Sequence, residues 1–176
     1  SMRCCAAIFC VIILLSIIPN STAQAADENP LDFDFDWNFE LGDVFVSTKP
    51  LIEMNTIFVR TSTSNPNSDS AGVFAFDFEG KQLWNIQNPN STYHDMSPLL
   101  FVNAGLGDCG AWSNMLIIGW SDGSVEALNP NTGETVWKQK TKKITWGITG
   151  SMLIDEENLV VPTRNGIASF CLANGH

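Results

Sequence analysis

The chain has 176 residues, 44% of them hydrophobic and 16% charged, with a net charge of −10. That composition suits a packed core and excludes global disorder. The acidic balance excludes a phosphate-backbone binder, which needs clustered Lys and Arg.

At the N-terminus, Arg3 precedes an apolar run of 13 residues, Ala6 to Ile18. Pro19 and Asn20 break the run, and Ala23-Gln24-Ala25 supplies a small-x-small cleavage pattern. Together they predict a secretory signal peptide over residues 1–25, hence a secreted, periplasmic or cell-surface protein. The run is too short for a comfortable membrane span, so no stable span is expected after cleavage. The residue after the cleavage point is Ala26 rather than a lipid-bearing Cys. Cys4, Cys5 and Cys10 leave with the signal, and Cys109 and Cys171 remain. An oxidising compartment would let them pair, and the sequence does not show whether they are near; their contexts, a Gly-rich loop and a buried strand, slightly favour two free thiols over a disulfide.

Residues 26–36 form an acidic segment. Asp32, Asp34 and Asp36 alternate with Phe33 and Phe35, the pattern of a strand with Phe inward. A calcium loop would need Gly where Trp37 stands and Glu where Asp43 stands. Helical periodicity is absent beyond this point. Short runs rich in Val, Ile, Phe and Trp are separated by Asn, Gly, Pro and Ser clusters, which predicts an all-β chain. Trp37-Asn38-Phe39 reads as the closing strand of a preceding unit. The first repeat then offers strands at Leu51–Met54, Thr56–Thr61, Val73–Phe78 and Gln82–Gln87, with Ser62–Ser70 as an exposed polar loop.

The second repeat offers strands at Leu99–Val102, Met115–Trp120, Ser124–Asn129 and Thr135–Thr141, with an enlarged Gly-rich connection at Asn103–Asn114. Lys138, Lys140, Lys142 and Lys143 alternate along its last strand and read as a solvated face or edge. The third offers Met152–Ile154, Leu159–Thr163 and Ile167–Leu172. Gly72 to Trp84 and Gly123 to Trp137 carry one pattern: small residue, alternating strand, Asp77 or Asn129, a turn at Gly80 or Gly133, then a Trp four residues on. Gly166 is matched to Gly123, and Gly175 to Gly133; the next Trp would fall beyond His176. Four strands in roughly 45 residues is the mark of one propeller blade. The expected fold is therefore an incomplete β-propeller of four-stranded antiparallel blades, about two full and parts of two more. Blades are placed at about 48–88, 96–141 and 149–176, the last truncated, as in a fragment of a longer protein.

Ser97-Pro98-Leu99-Leu100, Asp122-Gly123, Ala127-Leu128-Asn129, Thr132-Gly133 and Trp137-Lys138 carry a family signature. Thr48-Lys49-Pro50-Leu51-Ile52, Ala75-Phe76-Asp77, Gly80-Lys81 and Trp84 carry it again. The pattern resembles the PQQ-like (pyrroloquinoline-quinone-type) β-propeller repeat over about residues 37–175. The resemblance implies structural jobs for Pro50, Asp77, Gly80, Trp84, Pro98, Gly123, Asn129, Gly133, Trp137, Gly166 and Gly175. Dehydrogenases resembling this fold use a catalytic Asp, a Ca²⁺ held by Glu, Asn and Asp, and an adjacent Cys pair. The mature sequence offers no such pair and no motif with the six to eight oxygens Ca²⁺ takes, so no catalytic, cofactor or metal residue is assigned. His94-Asp95, just before a first blade strand, is a possible ligand-facing pair. Asn90-Ser91-Thr92 is a glycosylation sequon. The expected function is a secreted, non-catalytic binding or scaffold module for a protein or cell-surface ligand. The alternative is the N-terminal part of a PQQ-dependent alcohol- or glucose-type dehydrogenase, with PQQ and Ca²⁺ as cofactors.

Overall fold

A computed structural model describes residues 36–63, 65, 67, 69–91, 94–141 and 147–176. The predicted signal, the Phe33 and Phe35 positions, Lys142 and Lys143 lie outside the described residues. The described chain is all-β and holds three antiparallel blade sheets in chain order and a fourth, two-stranded sheet. In the first, β1 (Phe45–Val46) and β2 (Leu51–Glu53) both pair with β3 (Thr56–Ser62), followed outward by β4 (Gly72–Phe76) and β5 (Gln82–Gln87). The second runs β6 (Leu100–Val102), β9 (Met115–Gly119), β10 (Ser124–Leu128), β11 (Thr135–Lys140). Between its first two strands stands a hairpin, β7 (Gly105–Gly107) and β8 (Gly110–Trp112). The third sheet is β12 (Leu153–Asp155), β13 (Asn158–Thr163), β14 (Gly166–Cys171).

The register shows the sheets to be copies. Phe58 pairs Ala75 and Ala75 pairs Trp84; Ile117 pairs Ala127 and Ala127 pairs Trp137. Each outer hairpin shifts register immediately afterwards, at Ala75/Phe76 and at Ala127/Leu128. The cap residues Asp77, Asn129 and Cys171 then close the same turn. Gly80, Gly133 and Gly175 donate to the carbonyls of Asp77, Asn129 and Cys171 at 3.2, 2.8 and 2.8 Å. Asp77 Oδ1 also takes the amides of Glu79 and Lys81, and Asn129 Oδ1 that of Asn131. Side-chain oxygens of this kind replace backbone partners in a tight turn.

Because strand side chains alternate, each sheet has two apolar faces. Met115 and Ile117 of β9 join a core with Leu159, Val161 and Leu172 of the third sheet. Leu116 and Ile118, one residue out of phase, join a core with Phe58, Val73 and Ala75 of the first. The sheets therefore stack face to face in chain order.

A recurrent joint locks the stack. The indole of Trp84 donates to the Pro130 carbonyl at 3.0 Å, and that of Trp137 to the Leu172 carbonyl at 2.9 Å. Each ring lies under the turn glycine of the following sheet, where a Cβ on Gly133 would meet Trp84 at 2.8 Å and one on Gly175 would meet Trp137 at 2.7 Å. Those glycines also hold φ at +75°, a conformation L side chains rarely adopt. Trp37 makes the joint a third time, donating to the Phe78 carbonyl at 2.9 Å and lying 2.5 Å from where a Gly80 Cβ would be. Residues 37–39 are not a strand, so the expected closing strand is absent while its indole keeps its place.

Several expectations need correction. Cys109 and Cys171 form a disulfide, with Cα atoms 6.2 Å apart; the hairpin that brings them together has three-residue strands too short to leave a periodic signal. Ser62 and Thr63, at the start of the supposedly exposed loop, are buried, because Ser62 still pairs with Phe45. Gly166 pairs Thr163 at the inner end of β14, level with Gly72 and Ser124 rather than Gly123, and its Cβ position is open. Leu51 and Leu100 are the equivalent positions, so Pro50 and Pro98 sit one residue out of step.

Candidate functional site

The second sheet departs from its neighbours at one end. In the first sheet β2 turns into β3 through Met54 and Asn55 alone, both at positive φ (52° and 55°), the geometry of a tight two-residue hairpin. In the second, residues 103–114 replace that turn with the β7–β8 hairpin. Asn114 fixes the hairpin base, its Oδ1 accepting from the Ala104 amide at 2.7 Å, and the Trp112 indole donates to the Asn103 carbonyl at 2.9 Å. The tip reaches the third sheet through the disulfide and a 2.9 Å hydrogen bond from the Cys109 amide to Glu157 Oε2. Toward the first sheet, Asn114 Nδ2 lies 3.6 Å from the Met54 sulfur.

These contacts wall a cleft of about 620 Å³. Trp112, Met54 and Val136 give it apolar surface; Asn114, Asn129 and Asn131 give it amides. No ionisable side chain lines it. An aromatic plate beside neutral donors and acceptors suits uncharged polar groups.

The His94-Asp95 pair divides. His94 is exposed, at φ +66°. Asp95 is fully buried between the first and second sheets. Its Oδ1 accepts from Arg60 Nη2 at 3.1 Å, Ser91 Oγ at 2.5 Å and the Ser121 amide at 3.0 Å. The Asp95 amide takes Ser62 Oγ as acceptor, and its carbonyl accepts from Ser47 Oγ. Arg60, itself fully buried, donates to the Ser97 carbonyl at 2.7 Å and lies 5.1 Å from the Trp120 ring centroid. Burial lowers the Arg60 pKa to about 10 against the attraction of Asp95, so the guanidinium stays charged at neutral pH. This is a structural ion pair tying two sheets.

Asn90 is exposed in a turn, its amide donating to Asn88 Oδ1 at 3.1 Å; Thr92 of the sequon lies outside the described residues. Lys138 reaches Glu126 at 3.1 Å and Lys140 lies 4.0 Å from Asp122, so these strand lysines pair with acids of their own sheet. Sequence reasoning missed Arg60 and Glu126. Both are charges at positions in phase with a buried stripe, and Glu126 accepts from the Trp120 indole and Thr135.

Among the described residues no three His, Cys, Asp or Glu side chains converge as a metal site. The described disulfide joins residues 62 apart in sequence, not an adjacent pair.

Residues 121–171 match the family described as outer membrane protein assembly factor BamB, PQQ_2. A curated relative, the quinohemoprotein alcohol dehydrogenase ADH-IIG of Pseudomonas putida, is 27% identical over 154 residues, 84% of this chain and 20% of that protein. The chain therefore spans about a fifth of that relative's length. Among solved structures, BamB from Moraxella catarrhalis superposes with a TM-score of 0.53 at 22% identity, over 70% of this chain and 36% of that one. A europium-containing methanol dehydrogenase gives 0.55 at 18% identity, over 76% and 25%. At these identities the likeness establishes the fold, that of part of a β-propeller.

Proposed function

We propose that this chain, a run of PQQ-like β-propeller repeats, works outside the cytoplasm as a non-catalytic binding module whose ligand sits in the cleft walled by residues 103–114. The carrying observation is that cleft's uncharged lining, held between three sheets by a disulfide and by Asn114. Its amides suit the peptide groups of an extended protein segment and Trp112 suits an apolar side chain, which makes a protein the favoured partner. A signal peptide over residues 1–25 and the disulfide both suit an oxidising compartment. The similarity to the Pseudomonas putida enzyme favours a second reading, the N-terminal part of a quinoprotein alcohol dehydrogenase with PQQ and Ca²⁺.

One experiment separates the two. Trp112 fluorescence is titrated with uncharged extended peptides, and the same preparation is assayed for dye-linked alcohol oxidation after addition of PQQ and Ca²⁺. Binding reading: a saturable response lost in Trp112→Ala and Asn131→Ala, with no oxidation. Quinone-dependent oxidation, or a response unchanged in Trp112→Ala, overturns it.

A further inference from the structure

The β7–β8 hairpin belongs to the middle blade sheet and has a described sheet on either side. Among the described residues its two strands pair with each other and with no other strand. Each of their residues is exposed or half-buried, and Gly105, Gly107 and Gly110 are glycines. A two-stranded hairpin alone in water is marginal at best, and glycine weakens a strand further. Trp112 gives the hairpin an apolar anchor at the rim of the core between the second and third sheets. Its tip is tied to the third sheet by the Cys109–Cys171 disulfide and by the hydrogen bond from the Cys109 amide to Glu157.

The third sheet leans on that link far less. Cys171 stands where Asp77 and Asn129 stand in the other two sheets, and the oxygens of those side chains hold their own turns. At the third turn the backbone does this: the Cys171 amide donates to the His176 carbonyl at 2.7 Å, and the Cys171 carbonyl accepts from Gly175 at 2.8 Å. The sulfur at this repeat position thus serves the hairpin and not the turn. The cleft does depend on it. Trp112, Ser113 and Asn114 of its lining come from the hairpin and its base, and Ala173, just past Cys171, comes from the third sheet's turn. The hairpin tip closes on that turn, where a Cβ on Gly110 would lie 3.2 Å from Ala173.

We propose that the Cys109–Cys171 disulfide is a redox latch on the cleft: a dithiol that reduces it frees the hairpin and disperses the cleft while the blade sheets stay folded. Cys109 is half-buried and Cys171 only 7% exposed, so the reductant's thiolate attacks the Cys109 sulfur. A mixed disulfide forms there as the Cys171 sulfur leaves and takes up a proton. The reductant's second thiol then closes its own disulfide and releases Cys109 as a thiol, so two electrons and two protons pass to the chain. Control of binding by this latch rests on the cleft being the ligand site; release of the hairpin does not.

The test is peptide-level hydrogen exchange of the chain with and without dithiothreitol, paired with titration of an end-capped uncharged peptide. On reduction, exchange is expected to rise across residues 105–112 first, ahead of Leu159 and Val161, and to stay slow at Phe58 and Val73. Peptide affinity falls by about tenfold or more, the usual scale of coupling between sites. Cys109→Ser/Cys171→Ser reproduces both results with no reductant; should it fail to fold, reduction of the unaltered chain carries the test. A hairpin as protected after reduction as before, or one that opens only together with Phe58 and Val73, overturns the latch. So does equal peptide affinity in the two states. A chain that binds the peptide in neither state contradicts the binding reading alone, because exchange still decides the latch.

Discussion

The two seams of this molecule do the same job by different means. Both carry the Trp-under-Gly joint and an alternating apolar core. The seam between the first and second sheets adds a buried ion pair, Arg60 with Asp95, enclosed by Ser62, Ser91, Ser97 and Ser121. The seam between the second and third has a core of apolar residues such as Ile148, Met152 and Leu159 and adds a disulfide at its edge. A buried pair sets which arrangement is tolerated more than it adds strength, since desolvation offsets the attraction. A covalent link between distant residues acts chiefly on the unfolded chain. The first seam is thus selective and the second reinforced.

The largest effect expected from breaking this comparison is at Asp95. Asp95→Ala leaves a buried guanidinium unpaired and costs about 3–5 kcal/mol, read by urea unfolding. The double variant Arg60→Met/Asp95→Leu removes both charges and recovers much of that loss; a double variant as unstable as the single would show the pair to be a net stabiliser. Next comes the reinforced seam. The disulfide closes a loop of sequence separation 62, so Cys109→Ser/Cys171→Ser costs up to about 4 kcal/mol. Hydrogen exchange then rises at Leu159, Val161 and Leu172 before it rises at Phe58 and Val73. Equal loosening of both seams would erase the distinction.

A smaller effect concerns pH. Burial pushes the Asp122 carboxyl up, but hydrogen bonds from Ser124 and the nearby Lys140 outweigh it and hold its pKa below the ordinary 3.8. A depressed folded-state value means the unfolded chain binds the proton more readily. The contribution is complete above the ordinary value and is lost as pH falls through the folded one. Acid titrations of stability therefore flatten below pH 3.8 in Asp122→Asn. Arg60 works at the other end: burial holds its folded value at about 10, below the ordinary guanidinium range, so stability gains a rising slope above about pH 10 and none near neutrality.

The repeat itself was legible. Alternation located the blade strands to within a residue or two, and Gly turns followed by Trp located the joints, because bulky apolar residues and positive-φ turns leave strong local marks. The long-range partners were not. Nothing in the Gly-rich stretch 103–114 shows that Cys109 reaches Cys171, since the β7 and β8 strands lean on distant turns and not on their own alternation. Asp95 reads from the sequence as half of a possible ligand-facing pair because its partner, Arg60, lies on another sheet. Arg60 itself was the available clue, a charge in phase with Phe58 on a buried strand.

The central claim is that an indole of one sheet and a glycine turn of the next form a single joint. A double-mutant cycle on Trp84→Leu and Gly133→Ala tests it most directly. Removing the ring frees the space a Gly133 Cβ would need, so the account predicts that the glycine substitution costs less in the Trp84→Leu background, by about 1 kcal/mol or more. Additivity within about 0.5 kcal/mol would contradict it.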